Sequence, residues 1–142
     1  MRETYRNDSM TGLREPCRTL PSRPADARRA VRRVVHERCA ACAYTCDAGA
    51  LEDALLVTSE LTTNAILHGG GITDFDVDVD GVGVSVSVSD RSDELPVAAA
   101  DEYGRSRIGG RGWPIVCRLA RDVTVADLPR GGKRITAVVP LH

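Results

Sequence analysis

In Leu55-Leu56-Val57-Thr58-Ser59-Glu60-Leu61-Thr62-Thr63-Asn64-Ala65-Ile66-Leu67-His68-Gly69-Gly70-Gly71 the apolar residues recur with a helical period. Taken at 3.6 residues per turn, Leu51, Ala54, Leu55, Thr58, Leu61, Thr62 and Ala65 share one face, the expected core face. Glu60, Asn64 and His68 step along the opposite face at i, i+4 and i+8, with Leu56 and Leu67 beside them. A solvated helix face more often carries mixed Lys, Glu and Arg. A carboxylate, an amide and an imidazole among leucines suggest the wall of a cleft. The three glycines that follow end the helix, because glycine is favoured just past a helix terminus.

Upstream, the stretch from Thr45 to Gly49 reads as a break, with Asp47 the candidate N-cap of this central helix. An earlier helix begins near Ser22, a candidate N-cap, with Pro24 in its first turn. Ala27, Ala30, Val31, Val34 and Val35 form its apolar stripe, and Arg28, Arg29, Arg32 and Arg33 form a basic flank whose simpler reading is a solvated face. Residues 1–21 are polar, contain Pro16 and Pro21 and show no sustained period. They read as a flexible tail ahead of a single domain over 22–142.

Downstream the period switches to two. Phe75, Val77 and Val79 alternate with Asp74, Asp76, Asp78 and Asp80, and Val84, Val86 and Val88 alternate with Ser85, Ser87 and Ser89. Asp80-Gly81 supplies the turn, so residues 72–89 read as an antiparallel hairpin with a valine face and a polar face. The aspartates lie along an open strand face with no loop to wrap an ion, so the ladder reads as solvated and not as a calcium site. Residues 96–107 read as a loop. Gly109-Gly110-Arg111-Gly112 then leads into a short helix from Trp113 or Pro114 to about Leu119. Val123 and Val125 begin a strand, Pro129-Arg130-Gly131-Gly132 turns, and Ile135 to Val139 completes a second hairpin. The order helix, helix, hairpin, loop, helix, hairpin predicts an α+β two-layer sandwich, with helices on one face of a mixed, mainly antiparallel sheet.

The chain has 142 residues, 42% of them hydrophobic, which suits one aliphatic core. Its net charge of −1 argues against a general nucleic-acid binder. No apolar run approaches the ~20 residues needed to cross a bilayer. Five cysteines, an odd number, without a secretory signal pattern make the reduced cytoplasm the expected compartment.

Three separated pieces could meet in one site: the Glu60/Asn64 face, Asp90 at the end of its strand, and the glycine cluster before a helix. Glycines ahead of a helix N-terminus let backbone approach an anion, and the free N–H groups favour phosphates. An amide oxygen suits Mg²⁺, which takes few protein ligands alongside phosphate and water. A carboxylate one turn away can take a proton from water or a hydroxyl.

Together, in this order and spacing, the pieces resemble the GHKL ATP-binding superfamily: gyrase-type ATPases, ninety-kilodalton chaperones, sensor histidine kinases and mismatch-repair proteins. The matching residues are Glu60-Leu61-Thr62-Thr63-Asn64-Ala65 with His68-Gly69, then Asp90-Arg91-Ser92, then Gly109-Gly110-Arg111-Gly112. The short single-domain form resembles the bacterial anti-sigma-factor serine kinases, over about residues 20 to 140. The resemblance implies the Bergerat-type ATP-binding fold, with ATP and Mg²⁺ as cofactors. It implies that Asn64 coordinates Mg²⁺, that Glu60 is the general base, and that Asp90 accepts from the adenine amino group, with Ser92 nearby. Gly109, Gly110, Arg111 and Gly112 would wrap the triphosphate. The loop over 96–107 would be the lid, bringing Arg105 or Arg107 to the phosphates, and His68 would either sit near them or cap the helix C-terminus. The implied activity is phosphorylation of a serine on a STAS-domain anti-anti-sigma protein. The other implied partner is a sigma factor, and the implied assembly a homodimer. A non-catalytic ATP-binding or interaction module of the same fold is the alternative.

The sequence departs from the superfamily pattern in places. Ser92 and Glu94 stand where glycines usually follow the adenine-contacting Asp. A Thr often follows the last glycines, near adenine. Arg134 lies in that region here, and Thr136, two residues on along the same strand face, is taken as the substitute. Cys39, Cys42 and Cys46 with His36 are spaced so that one continuous helix cannot bring them to a tetrahedral ion; a break near Cys42 would allow a metal site or a regulatory disulfide, but the favoured reading is incidental or small buried thiols.

Overall fold

A computed structural model of the chain describes residues 20–42, 46–94 and 112–141. In chain order these form α1 (Pro24–Cys42), α2 (Ala48–His68), β1 (Ile72–Val79), β2 (Gly83–Asp90), α3 (Gly112–Leu119), β3 (Asp122–Asp127) and β4 (Lys133–Pro140). The strands lie in the order β1-β2-β4-β3, and each pairing among the described residues is antiparallel. Both hairpins fall where the alternation placed them, and the helices cover one face of the sheet.

Helix α2 is set by its ends as much as by its stripe. The Asp47 carboxylate accepts from the Ala50 backbone N–H at 3.2 Å, capping the first turn. At the other end the N–H groups of Gly69 and Gly71 both return to the Ala65 carbonyl, and Gly70 and Gly71 take φ of 79° and 110°, a stop that residues with a Cβ rarely adopt. Asp47→Ala is expected to cost about 1 kcal/mol, seen as a melting temperature lower by about 3–5 °C in a thermal unfolding curve.

Between the caps, Ala54, Leu55, Val57, Thr58, Leu61, Thr62 and Ala65 are buried, while Leu51 packs half-buried at the core margin. Thr58 and Thr62 tolerate burial because their hydroxyls donate to carbonyls one turn back, Ala54 and Thr58, each at 2.7 Å. On α1, Ala27, Val31 and Val35 are buried. The first helical carbonyl acceptor is Arg23, bonded to Ala27 N, one residue after the predicted cap Ser22. Arg28 is not part of a solvated flank: its guanidinium donates to Ser59 Oγ at 3.0 Å and ties α1 to α2.

The sheet's inner face carries the core in rows. Val84 faces Val139, Val86 faces Ala137 and Val88 faces Ile135 across β2 and β4, with Val79, Val77 and Phe75 opposite on β1. The next row in the same register is Asp90 opposite Lys133. The outer face is polar. Asp74, Asp76 and Asp78 are exposed there. Asp74 lies 3.8 Å from Arg134 and Asp78 lies 3.3 Å from Arg38, so the acidic ladder is partly neutralised by arginines.

Candidate functional site

The last two and a half turns of α2 separate two built corners. The first is at Glu60. Its half-buried carboxylate lies against Gly112, the first residue of α3; a Cβ placed on Gly112 would stand 2.1 Å from Glu60 Oε1. Gly112 is therefore a glycine because the Glu60 side chain occupies that space. One turn along, Asn64 is half-buried, and its Nδ2 is fully buried with no hydrogen-bond partner among the described residues. Leaving a buried amide donor unpaired costs on the order of 1–3 kcal/mol, so the group is suited to an acceptor brought by a ligand. His68 is exposed in the final turn.

The second corner is at Asp90. Arg91 N donates to the Gly69 carbonyl at 2.8 Å, fastening the end of β2 to the end of α2. Gly69 presses on the Asp90 side chain, where an added Cβ would stand 2.4 Å from Cγ and Oδ2. Gly132 presses on its backbone, 2.2 Å from the Asp90 carbonyl oxygen by the same construction. Within this cradle Asp90 Oδ1 accepts from Ser92 N at 2.9 Å and from Lys133 Nζ at 3.1 Å, and Oδ2 accepts from Lys133 Nζ at 3.0 Å. Lys133 Nζ also reaches the Ser92 carbonyl at 3.4 Å. Both side chains of the ion pair are only 6% exposed. Ser92 closes a tight turn here, and its hydroxyl accepts from Glu94 N at 3.0 Å.

Thr136 is not part of this corner. Strand β4 alternates, so Lys133, Ile135 and Ala137 face the helices while Arg134 and Thr136 face outward. Thr136 Oγ1 instead shares a hydrogen bond with Ser87 Oγ at 2.8 Å on the outer face. The residue after the last glycine that stands beside Asp90 is Lys133, which sequence reasoning missed. Its signal was present: Lys133 directly follows Gly132, on the strand face opposite to Arg134. Arg105, Arg107, Gly109, Gly110 and Arg111, with the expected lid over 96–107, lie outside the described residues.

The cysteines lie elsewhere. Cys39, Cys46, His36 and Leu51 help line a pocket of about 360 Å³ between the end of α1 and the start of α2. Burial, with Cys39 alongside, pushes the Cys46 thiol up. Among the described residues no group of three or more His, Cys, Asp or Glu could hold a metal ion.

A sequence profile of the histidine kinase-like ATPase domain matches residues 20–139, the full span from α1 into β4. The chain belongs to the histidine kinase-like ATPase domain family. Among solved structures, the histidine kinase domain of the blue-light activated histidine kinase from Erythrobacter litoralis EL346 is similar, at 22% identity and a TM-score of 0.44. That similarity covers 65% of this chain and 45% of the other, so the chain spans less than half of that structure's length. No curated protein matches.

Domains of the histidine kinase-like ATPase family bind ATP, usually with Mg²⁺. The two corners fit that pair of ligands differently. At the first, the unpartnered Asn64 Nδ2 suits a phosphate oxygen, while an amide oxygen and the Glu60 carboxylate beside a glycine are donors suited to a hard cation. At the second, Lys133 and Ser92 already engage the Asp90 carboxylate expected to meet the base. Among the described residues no helix is long and apolar enough to cross a membrane.

Proposed function

We propose that the chain is an ATP-dependent protein serine/threonine kinase of the anti-sigma type, acting on a serine of a STAS-domain anti-anti-sigma protein in a cytoplasmic partner switch. The observation that supports this most is the pairing of Glu60, held against Gly112, with the orphaned Asn64 amide one turn on. Asn64 would hold Mg²⁺ through its Oδ1, and the ion when bound supplies charge neutralisation at the phosphates, while the unpaired Nδ2 would donate to a phosphate oxygen. Glu60 would take the proton of the attacking serine hydroxyl. Helix α3 begins at Gly112 beside Glu60, and a helix N-terminus favours negative charge. A sigma factor and a second copy of the chain are the further partners of this reading.

A binding module of the same family without phosphotransfer is the second reading, favoured by the closed Asp90–Lys133 pair. Incubating the full chain with γ-labelled ATP, Mg²⁺ and candidate STAS-domain proteins separates the two. Label on a STAS serine supports the kinase, and nucleotide binding without transfer supports the module. Binding of no nucleotide sinks both.

Gly112→Ala offers a sharper check. The added methyl must push the Glu60 carboxylate aside, while Ala favours a helix over Gly. Transfer is expected to slow by about tenfold to a hundredfold without a lower melting temperature.

A further inference from the structure

Asp90 and Lys133 satisfy each other. The carboxylate's two oxygens receive three hydrogen bonds, two from Lys133 and one from Ser92 N. The ammonium has three protons, and Asp90 Oδ1, Asp90 Oδ2 and the Ser92 carbonyl lie within reach of them. The pair is directly cross-strand and nearly inaccessible to water, and Gly69 and Gly132 press on Asp90 from side chain and backbone.

Strong selection between ligands that exchange a donor for an acceptor comes from a buried protein group left unpaired by the wrong one. An unpartnered Asp90 would act in that way: a 6-amino purine would donate to it, and a 6-oxo purine would leave it bare. With Lys133 in place neither base leaves it bare. Displacing Lys133 to free the carboxylate would strand a buried ammonium, which is costlier than the bond gained.

We infer that Lys133 sets the base selectivity of this site: it takes purine nucleoside triphosphates with little discrimination between 6-amino and 6-oxo bases, and the phosphate corner supplies the affinity. This rests on the reading of the Glu60–Asp90 region as a nucleotide site. The phosphate corner has the unpaired group, the Asn64 amide, and the base corner has none among the described residues. Lys133 is thus a specificity-determining residue and not a catalytic one.

Titration calorimetry of the full chain with ATP and GTP in Mg²⁺ buffer tests this without any variant. The two dissociation constants are expected to agree within about fivefold, far short of the 10⁴–10⁵ that an unpaired buried group can impose. A preference beyond that range for either nucleotide overturns the inference. Lys133→Met frees the carboxylate, and ATP is then expected to bind at least about tenfold tighter, the worth of one bond to a charged acceptor, with GTP unchanged. Circular dichroism reports whether that variant is folded. If it is not, Lys133→Thr, whose hydroxyl can donate to Asp90 while leaving room for a base, is expected to shift the ATP-to-GTP ratio in the same direction. A folded variant that keeps the original ratio also overturns the inference. Inorganic tripolyphosphate marks the other failure. If it, ATP and GTP all fail to bind, the nucleotide site itself is wrong and the selectivity falls with it. If they bind but ATP is strongly preferred, only the role of Lys133 is wrong.

Discussion

Glu60→Gln is expected to lower phosphotransfer to a STAS-domain serine by about 10²–10⁴-fold, the usual worth of a positioned general base. Nucleotide affinity should stay within about threefold, because the change removes only an interaction made as the proton moves. Glutamine has the shape of glutamate, so it still fills the space that Gly112 leaves open and should not disturb the start of α3. What it lacks is an oxygen able to take a proton at neutral pH. Single-turnover transfer of labelled phosphate, set beside calorimetric nucleotide binding, separates the two effects. Transfer at the original rate by Glu60→Gln would remove Glu60 from the chemistry. Equal loss of binding and transfer would make it a ligand contact instead. Gly112→Ala completes the comparison, since it keeps the carboxylate and moves it; its loss should fall between the parent and Glu60→Gln.

The parts of this site that could be read from the sequence are those fixed by local periodicity. Glu60, Asn64 and His68 lie on one helix, so their common face follows from their spacing. Asp47 declares the helix start by its chemistry, and the glycines after His68 declare its end. The two hairpins follow from strict alternation, because each strand meets its neighbour through a short turn. The β2–β4 pairing could not be read in this way. Those strands come from different hairpins, and their register depends on how the whole sheet assembles. That register is what places Lys133 opposite Asp90 and turns Thr136 outward. A strand residue counted one place off lands on the wrong face, so taking Arg134 as the residue near the base was enough to put Thr136 in the site. The link from Arg28 to Ser59 was hidden for a related reason: an arginine flank looks the same in sequence whether it meets water or a neighbouring helix. Among the described residues, Gly112 meets Glu60 and Asp90 meets Gly69, two contacts set apart along α2.

The largest change in stability is expected from splitting the Asp90–Lys133 pair. Lys133→Met leaves the Asp90 carboxylate buried without a counter-charge, and Asp90→Asn leaves the Lys133 ammonium in the same position. Each should cost about 3–5 kcal/mol, the range found for breaking a buried pair from one side. That is a large share of the roughly 5–15 kcal/mol by which a domain of this size is stable, so both variants should unfold at markedly lower urea. The double variant Asp90→Asn/Lys133→Met should recover most of the loss. The amide keeps the acceptor for Ser92 N, the thioether fills the space of the lysine stem, and neither leaves a bare charge. Recovery is the informative result, because the desolvation of two charges offsets most of their attraction and the intact pair adds little net stability. A pair of small net worth to the fold yet costly to split keeps the base corner closed, which is the condition that the selectivity assigned to Lys133 requires. Urea midpoints for the four proteins close the cycle. Single variants that each cost under about 1 kcal/mol would mean that the pair behaves as a solvated surface contact. Asp90 would then be free to take a donor from a ligand.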